Sequence, residues 1–145
     1  SRFRQVKEIR ESGKNVIQDR TIYEDAHIFA ENLAEMNLLS ERDFNNYLSV
    51  FKLMKDFVSA PDLLIYLRAD VPTLVRQISK RGREYEAGIS IDYLSKLNNK
   101  YQNWIENYKE GKLLVIDVDN LDFVEKPEDF GYILERIDAE LNGLF

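Results

Sequence analysis

The sequence contains no cysteine, which excludes disulfides and thiolate chemistry and permits a reducing compartment. Histidine occurs once, at His27, so a histidine-based metal site or a Ser-His-Asp triad centred elsewhere is disfavoured. The residue itself reads first as a polar position on a helix. With 3 prolines and 6 glycines in 145 residues, no stretch has the composition of an interdomain linker. No apolar run approaches the ~20 residues of a membrane span, so no membrane partner is expected. Ser1-Arg2-Phe3-Arg4 is not followed by the apolar core of a signal peptide, and without an initiator Met it reads as a cut end. Basic surplus is missing as well. The net charge of −6 disfavours a nucleic acid polymer as partner, because such binding must neutralise many phosphates. It leaves room for a small phosphorylated ligand held by a local arginine cluster.

What is present suits one domain with a sizeable core, since 44% of the residues are hydrophobic. Short apolar runs occur at Val16-Ile17, Leu63 to Leu67 and Leu113 to Ile116. The last two are continuous rather than alternating, which predicts strands buried on both faces of a parallel sheet. Each run is followed by helical spacing. Ile22, Ala26, Phe29 and Leu33 form one stripe, and Phe44, Tyr47, Leu48, Phe51 and Met54 another. Leu74, Val75 and Ile78 follow the middle run, then Leu94, Leu97, Tyr101, Trp104, Ile105 and Tyr108. After the last run Pro127 occupies a first helical position, and Asn142-Gly143 reads as the stop. Alternating strands and helices predict an α/β fold with a parallel sheet. Such sheets bind ligands beyond the carboxyl ends of their strands, which directs attention to Asp19-Arg20, Arg68 to Asp70 and Asp117 to Asn120.

At the first of these ends, a carboxylate at Asp19 can hold Mg2+ and the neighbouring Arg20 can neutralise a transferring phosphoryl group. Thr21-Ile22-Tyr23-Glu24 is also a capping box, so the same residues can simply start a helix. One turn on, Asp25 can accept hydrogen bonds from an exocyclic amine or belong to a solvated helix face. Lys80-Arg81-Gly82-Arg83-Glu84-Tyr85-Glu86-Ala87-Gly88 lies between helices. Two guanidinium groups flanking a glycine can fold over a polyphosphate, and a closing lid excludes water; a charged surface loop has the same composition. Ser12-Gly13-Lys14 is not a phosphate loop. It precedes a strand rather than following one, lacks the earlier Gly, and continues with Asn15 instead of Ser or Thr. It reads as the turn between the first helix and the first strand. A lid candidate is present, and a phosphate cradle is not.

Taken together, Asp19-Arg20-Thr21-Ile22-Tyr23-Glu24-Asp25-Ala26-His27-Ile28-Phe29, the strand from Pro61 to Leu67, and Arg81-Gly82-Arg83 with Glu86, Gly88-Ile89 and Tyr93-Leu94 resemble the deoxynucleoside kinases. The similarity is greatest to bacterial deoxyadenosine/deoxyguanosine kinases and spans essentially the whole chain. The resemblance implies a P-loop kinase-like parallel sheet flanked by helices and lacking its first two strands. Residues 1–145 would be the C-terminal part of a single kinase domain, with a lid at about 80–88. It implies transfer of the ATP γ-phosphoryl group to the 5′-hydroxyl of a deoxynucleoside, a purine by preference, in nucleotide salvage. Mg2+, a cytoplasmic location and a homodimer built through packed helices are implied too.

By the same resemblance, Asp19 would organise Mg2+, and Arg20, Arg81 and Arg83 would act on the phosphates. Asp25 with Arg2 would read the nucleobase, Glu86 would bind the sugar 3′-hydroxyl, and Asp122-Phe123 would lie at the ATP base. The sequence departs from the family at Thr21, where Ser is usual, and at Gln77, where many members carry another lid arginine beside Arg76. The phosphate loop and the general-base Glu match nothing in the chain. They would precede Ser1, and about 60 residues would then be missing. These residues alone are accordingly expected neither to reach the native arrangement nor to phosphorylate anything. Competing readings are a nucleoside monophosphate kinase, against which Tyr23-Glu24-Asp25 weighs, and a non-catalytic interaction domain on the same fold.

Overall fold

A computed structural model describes residues 1–82 and 90–143. The chain forms two compact units, Ser1–Ala60 and Pro61–Phe145.

In the first unit, α1 (Arg2–Ser12) ends at Gly13, whose φ of 65° is a left-handed conformation that glycine adopts without a Cβ clash. The expected strand at Val16-Ile17 does not form. Neither residue belongs to a sheet, and Ile17 is 99% exposed. The physical reason is pairing: two apolar residues become a strand only beside an edge that accepts their backbone hydrogen bonds, and the described sheet joins other segments.

Thr21 then starts a helix, its N–H donating to the Glu24 carboxylate at 3.0 Å as the capping box requires. The helix runs as α2 (Ile22–Glu24), a π-helical segment (Asp25–Ala30) and α3 (Glu31–Glu35). A π turn inserts a residue into the α-helical count and slips the face beyond it by one position, about 100°. Ile22 and Ala26 are buried as the simple spacing predicts. Beyond them Ala30 is buried and Ala34 half-buried where that spacing places Phe29 and Leu33, and Leu33 is exposed.

Helix α4 (Glu41–Lys55) starts at Ser40, whose hydroxyl accepts the Asp43 N–H at 3.1 Å. Acids in its first turn and lysines in its last complement the helix dipole. Ser40→Ala is expected to cost about 1 kcal/mol of stability, read by chemical denaturation of the protein. Its inward anchor is Phe51, buried against Phe3, Tyr23 and His27 with ring centroids 5.5–6.2 Å apart. The polar helix position read for His27 is therefore also an aromatic contact.

In the second unit β1 (Leu64–Arg68) pairs in parallel with β2 (Leu113–Asp117), Leu64 opposite Leu113 and Arg68 opposite Asp117. Parallel pairing demands a long crossover, supplied by α5 (Val71–Arg81) and α6 (Ile91–Glu106). Helix α7 (Pro127–Asn142) follows β2 and begins with Pro127, as its sequence predicts. The core joins Ala69, Leu114, Ile116, Val118 and Ile133, with Leu74, Phe123 and Ile137 packed around it. Burial on both faces, expected for β1, is not what the structure has: Ile65 and Leu67 are 37% and 41% exposed. A two-stranded sheet has too little width to hold covering layers on both sides.

Tyr66 of β1 stacks on Tyr101 of α6, the rings 6.0 Å apart and 8° from parallel. Burial pushes the Tyr66 phenol above its ordinary pKa, with Arg68 opposing. The folded chain thus holds this proton more tightly than the unfolded chain. The contribution is complete below the unfolded value of about 10 and is lost as pH rises through the folded one. Stability measured by urea titration should fall over this alkaline range, and Tyr66→Phe should flatten the fall.

Candidate functional site

The two ends of the Asp19-Arg20-Thr21 motif are fixed by different partners. Arg2, at the start of α1, donates from Nη1 to the Asp19 carbonyl at 2.9 Å. Its Nε meets the Asp25 carboxylate at 3.0 Å, in a pair whose side chains are 28% and 35% exposed. Partial burial and the second hydrogen bond give this ion pair more definition than a surface pair has. Thr21 is held by Glu24. Between these anchors Arg20 adopts φ 67°, a region that a non-glycine residue enters at a cost. Its guanidinium lies 4.7 Å from the centroid of the Phe29 ring. The Asp19 side chain is exposed beside it.

Tyr47 of α4 belongs to the same surroundings. Partial burial raises its phenol pKa, and the negative charge of Asp25 raises it further. The charge of Asp25 is thus felt at this phenol as well as by the Arg2 guanidinium. Sequence reasoning gave Tyr47 only a place in a hydrophobic stripe, and gave Phe29 a place in another stripe and at the end of the Asp19 to Phe29 motif, with no role of its own. The available signals were the spacing of Tyr47 one turn before Phe51, and the position of Phe29 four residues after Asp25.

In the second unit the carboxyl ends of the strands carry a network of acids and bases. Arg68 lies 3.6 Å from Asp117 across the sheet. The Asp119 carboxylate accepts the Asp70 N–H at 2.8 Å, while Asp70 caps α5 by accepting from Thr73 N–H at 2.8 Å. Helix α5 ends at Gly82 with φ 64°, and Lys80 and Arg81 occupy its last turn. Lys80 reaches Asp122 at 4.0 Å. The Asp122 carboxylate also accepts the Glu125 N–H at 3.1 Å, and Phe123 packs on the core, so both have evident roles in holding this loop. At the departure from the family pattern, Arg76 donates to the Thr73 hydroxyl at 2.9 Å. Arg83 and Glu86 lie outside the described residues.

Among the described residues no group of three His, Asp or Glu side chains could hold a metal ion. A lone carboxylate such as Asp19 suits Mg2+ that arrives on substrate phosphates and keeps several of its waters. Arg2 is joined to Asp25 and to the backbone of Asp19, and Arg20 to Phe29. Asp122 is joined to Lys80 in the other unit.

Comparison with known proteins places this arrangement in a family. The deoxynucleoside kinase family profile matches residues 1–142. The chain is 33% identical over 138 residues to deoxyadenosine/deoxycytidine kinase of Bacillus subtilis, covering 94% of this chain and 64% of that protein. It is 33% identical over 157 residues to deoxyguanosine kinase of Lactobacillus johnsonii, covering 99% of this chain and 67% of that one. A solved structure of deoxyadenosine kinase from M. mycoides with bound dATP superposes with a TM-score of 0.74 at 29% identity, covering 94% of this chain and 68% of the other. The chain thus spans about two thirds of the length of these relatives, or less. The α/β fold is that of the P-loop kinases, and the chain belongs to the deoxynucleoside kinase family.

Proposed function

We propose that the complete protein containing this chain transfers the γ-phosphoryl group of ATP to the 5′-hydroxyl of a deoxynucleoside, with a purine preferred, in nucleotide salvage. The observation that carries this reading is the partly buried Arg2–Asp25 pair beside the Asp19-Arg20 motif. A guanidinium and a carboxylate held side by side offer donors and acceptors to the edge of a nucleobase. Relatives named as deoxyadenosine, deoxyguanosine and deoxycytidine kinases support the substrate class.

In this reading Arg2 and Asp25 orient the nucleoside, and Arg20 stands where charge develops on the transferring group. Arg81, Arg83 and Glu86 serve the phosphates and the sugar 3′-hydroxyl, and Asp122 with Phe123 shapes the loop at the ATP base. Mg2+, held by Asp19 with the phosphates, would neutralise phosphate charge. Rate enhancement then comes mainly from positioning and electrostatics. Residues 1–145 contain no Gly-x-x-x-x-Gly-Lys-Ser/Thr phosphate loop, so these residues by themselves are proposed to be inactive. A homodimer through packed helices is supported by the exposed apolar Val50 and Leu53 on α4 and Phe57 beyond it. Among the described residues no helix is long and apolar enough to cross a membrane; the cytoplasmic location is proposed from the family resemblance.

The test is a panel of deoxynucleosides and deoxynucleoside monophosphates offered with ATP and Mg2+ to the complete protein. Phosphorylation of deoxyadenosine or deoxyguanosine is the expected result. Transfer only to monophosphates would replace this reading with a monophosphate kinase, and no transfer at all would favour a non-catalytic domain.

A further inference from the structure

We propose that Lys80 is a positioning residue for the phosphate donor, its ammonium group holding the loop at Asp122-Phe123 against the last turn of α5. The inference rests on the function proposed above and deepens it at the ATP end. In that reading the ATP base lies at Asp122-Phe123 and its phosphates at Arg81. These residues belong to segments separated along the chain by α6 and β2, so their spacing must be set by tertiary contacts. Lys80 is the neighbour of Arg81 in the last turn of α5, and its Nζ lies 4.0 Å from Asp122 Oδ2.

The loop is firm on its other sides. The Val118 N–H extends the ladder to the Arg68 carbonyl at 2.9 Å, and the Asp119 carboxylate accepts the Asp70 N–H at the start of α5. The Asp122 N–H donates to the Asp129 carboxylate in the first turn of α7 at 2.7 Å, and the Lys126 N–H donates to the Asp122 carbonyl at 2.8 Å. These bonds tie the loop to the beginning of α5 and to α7, and Lys80 ties it to the end of α5. Helical side chains lean toward the N-terminus, so a long lysine in the last turn points back along α5 toward the strand ends. The two oxygens of Asp122 divide the work: Oδ1 accepts the Glu125 N–H at 3.1 Å and shapes the loop, while Oδ2 faces Lys80.

The magnitude of such a contact decides what it can do. At 4.0 Å the pair acts by charge rather than through a direct hydrogen bond, and its side chains are 64% and 39% exposed. An ion pair of this kind adds little to global stability. Its loss leaves the fold intact and lets the base end and the phosphate end of the donor site shift against each other.

The experiment is a double-mutant cycle in the complete protein with Lys80→Met, Asp122→Asn and both together. Asp122→Asn removes the charge and keeps an oxygen for the Glu125 N–H. The ATP dissociation constant is read by calorimetry, with ATP and nucleoside KM from steady-state kinetics. Lys80→Met is expected to weaken ATP binding by about 2- to 5-fold, with nucleoside KM and melting temperature unchanged. In the Asp122→Asn background the same change should alter ATP binding by less than about 1.5-fold. Lys80→Arg, which restores the charge, should recover most of the loss. Inorganic triphosphate, which has no base, should compete with ATP equally well in the wild-type protein and in Lys80→Met. Equal losses in both backgrounds, or weaker competition by triphosphate in Lys80→Met, would show that the lysine acts on the phosphates without the loop and overturn the proposal, as would unchanged ATP binding in Lys80→Met. A wild-type protein that binds ATP and phosphorylates no nucleoside would sink the functional reading instead, with the ATP titrations still reporting on Lys80.

Discussion

Arg20→Gly is expected to lower turnover of the complete protein by about 10³-fold while leaving its stability unchanged or slightly raised. The two effects separate because Arg20 sits at φ 67°. Holding a residue with a Cβ in that region costs about 1 kcal/mol, which glycine avoids, offset in part by the greater freedom glycine has when unfolded. The cation–π contact with Phe29 is lost as well, so the net change in folding free energy should stay within about 1 kcal/mol of zero. Catalysis has no such compensation. A guanidinium that meets charge developing on a transferring phosphoryl group acts mainly in the transition state, so its removal should appear in kcat rather than in nucleoside KM. Thermal melts and steady-state kinetics on the same preparation would check both halves. A variant that keeps its turnover would remove Arg20 from the catalytic constellation; one that loses stability by several kcal/mol would show the turn to be structural.

Asp25→Ala is expected to reduce kcat/KM for the preferred deoxynucleoside by about 10²-fold, mostly through KM. Removing this carboxylate leaves Arg2 partly buried and without its ion-pair partner, although the hydrogen bond to the Asp19 carbonyl remains. The substrate then loses an acceptor, and the remaining donor loses the orientation its partner gave it. Arg2→Ala should have a similar effect for the complementary reason. Because the two residues act as a pair, the double variant should be little worse than either single one, not worse by the product of the two losses. Asp25→Asn keeps the shape and replaces one acceptor oxygen with a donor amide, so it should change the ranking of nucleosides rather than abolish binding. Measuring kcat/KM for deoxyadenosine, deoxyguanosine and deoxycytidine with each variant is the check. Unchanged rankings in Asp25→Asn would place base reading elsewhere.

Much of this was legible in the residues themselves. The strands Leu64–Arg68 and Leu113–Asp117 follow continuous apolar runs, and α7 runs from Pro127 to Asn142 between a proline start and a glycine stop. Local chemistry sufficed there, because turn geometry, capping and periodicity act over a few residues. Asp25 and Arg2 were also named together from the family resemblance, and the structure joins them by an ion pair. Val16-Ile17 shows where the sequence stopped informing. An apolar pair is necessary for a strand and not sufficient, since a strand is made by the edge beside it.

The sequence by itself determined the helices and the two strands that pair, the capping box at Thr21, the start at Pro127 and the stop at Gly143, and the charged residues that follow those two strands, because each follows from short-range rules of helix, strand and turn. Tertiary structure alone decided that a π segment slips the helix face by one residue, that the Phe29 ring lies against the Arg20 guanidinium, and that the charge of Asp25 reaches Tyr47. A hydrogen-bond shift of one position leaves no trace in composition or spacing. It arises when the helix is packed against its neighbours, and only then is it settled which side chains lie inside and which stand at the site.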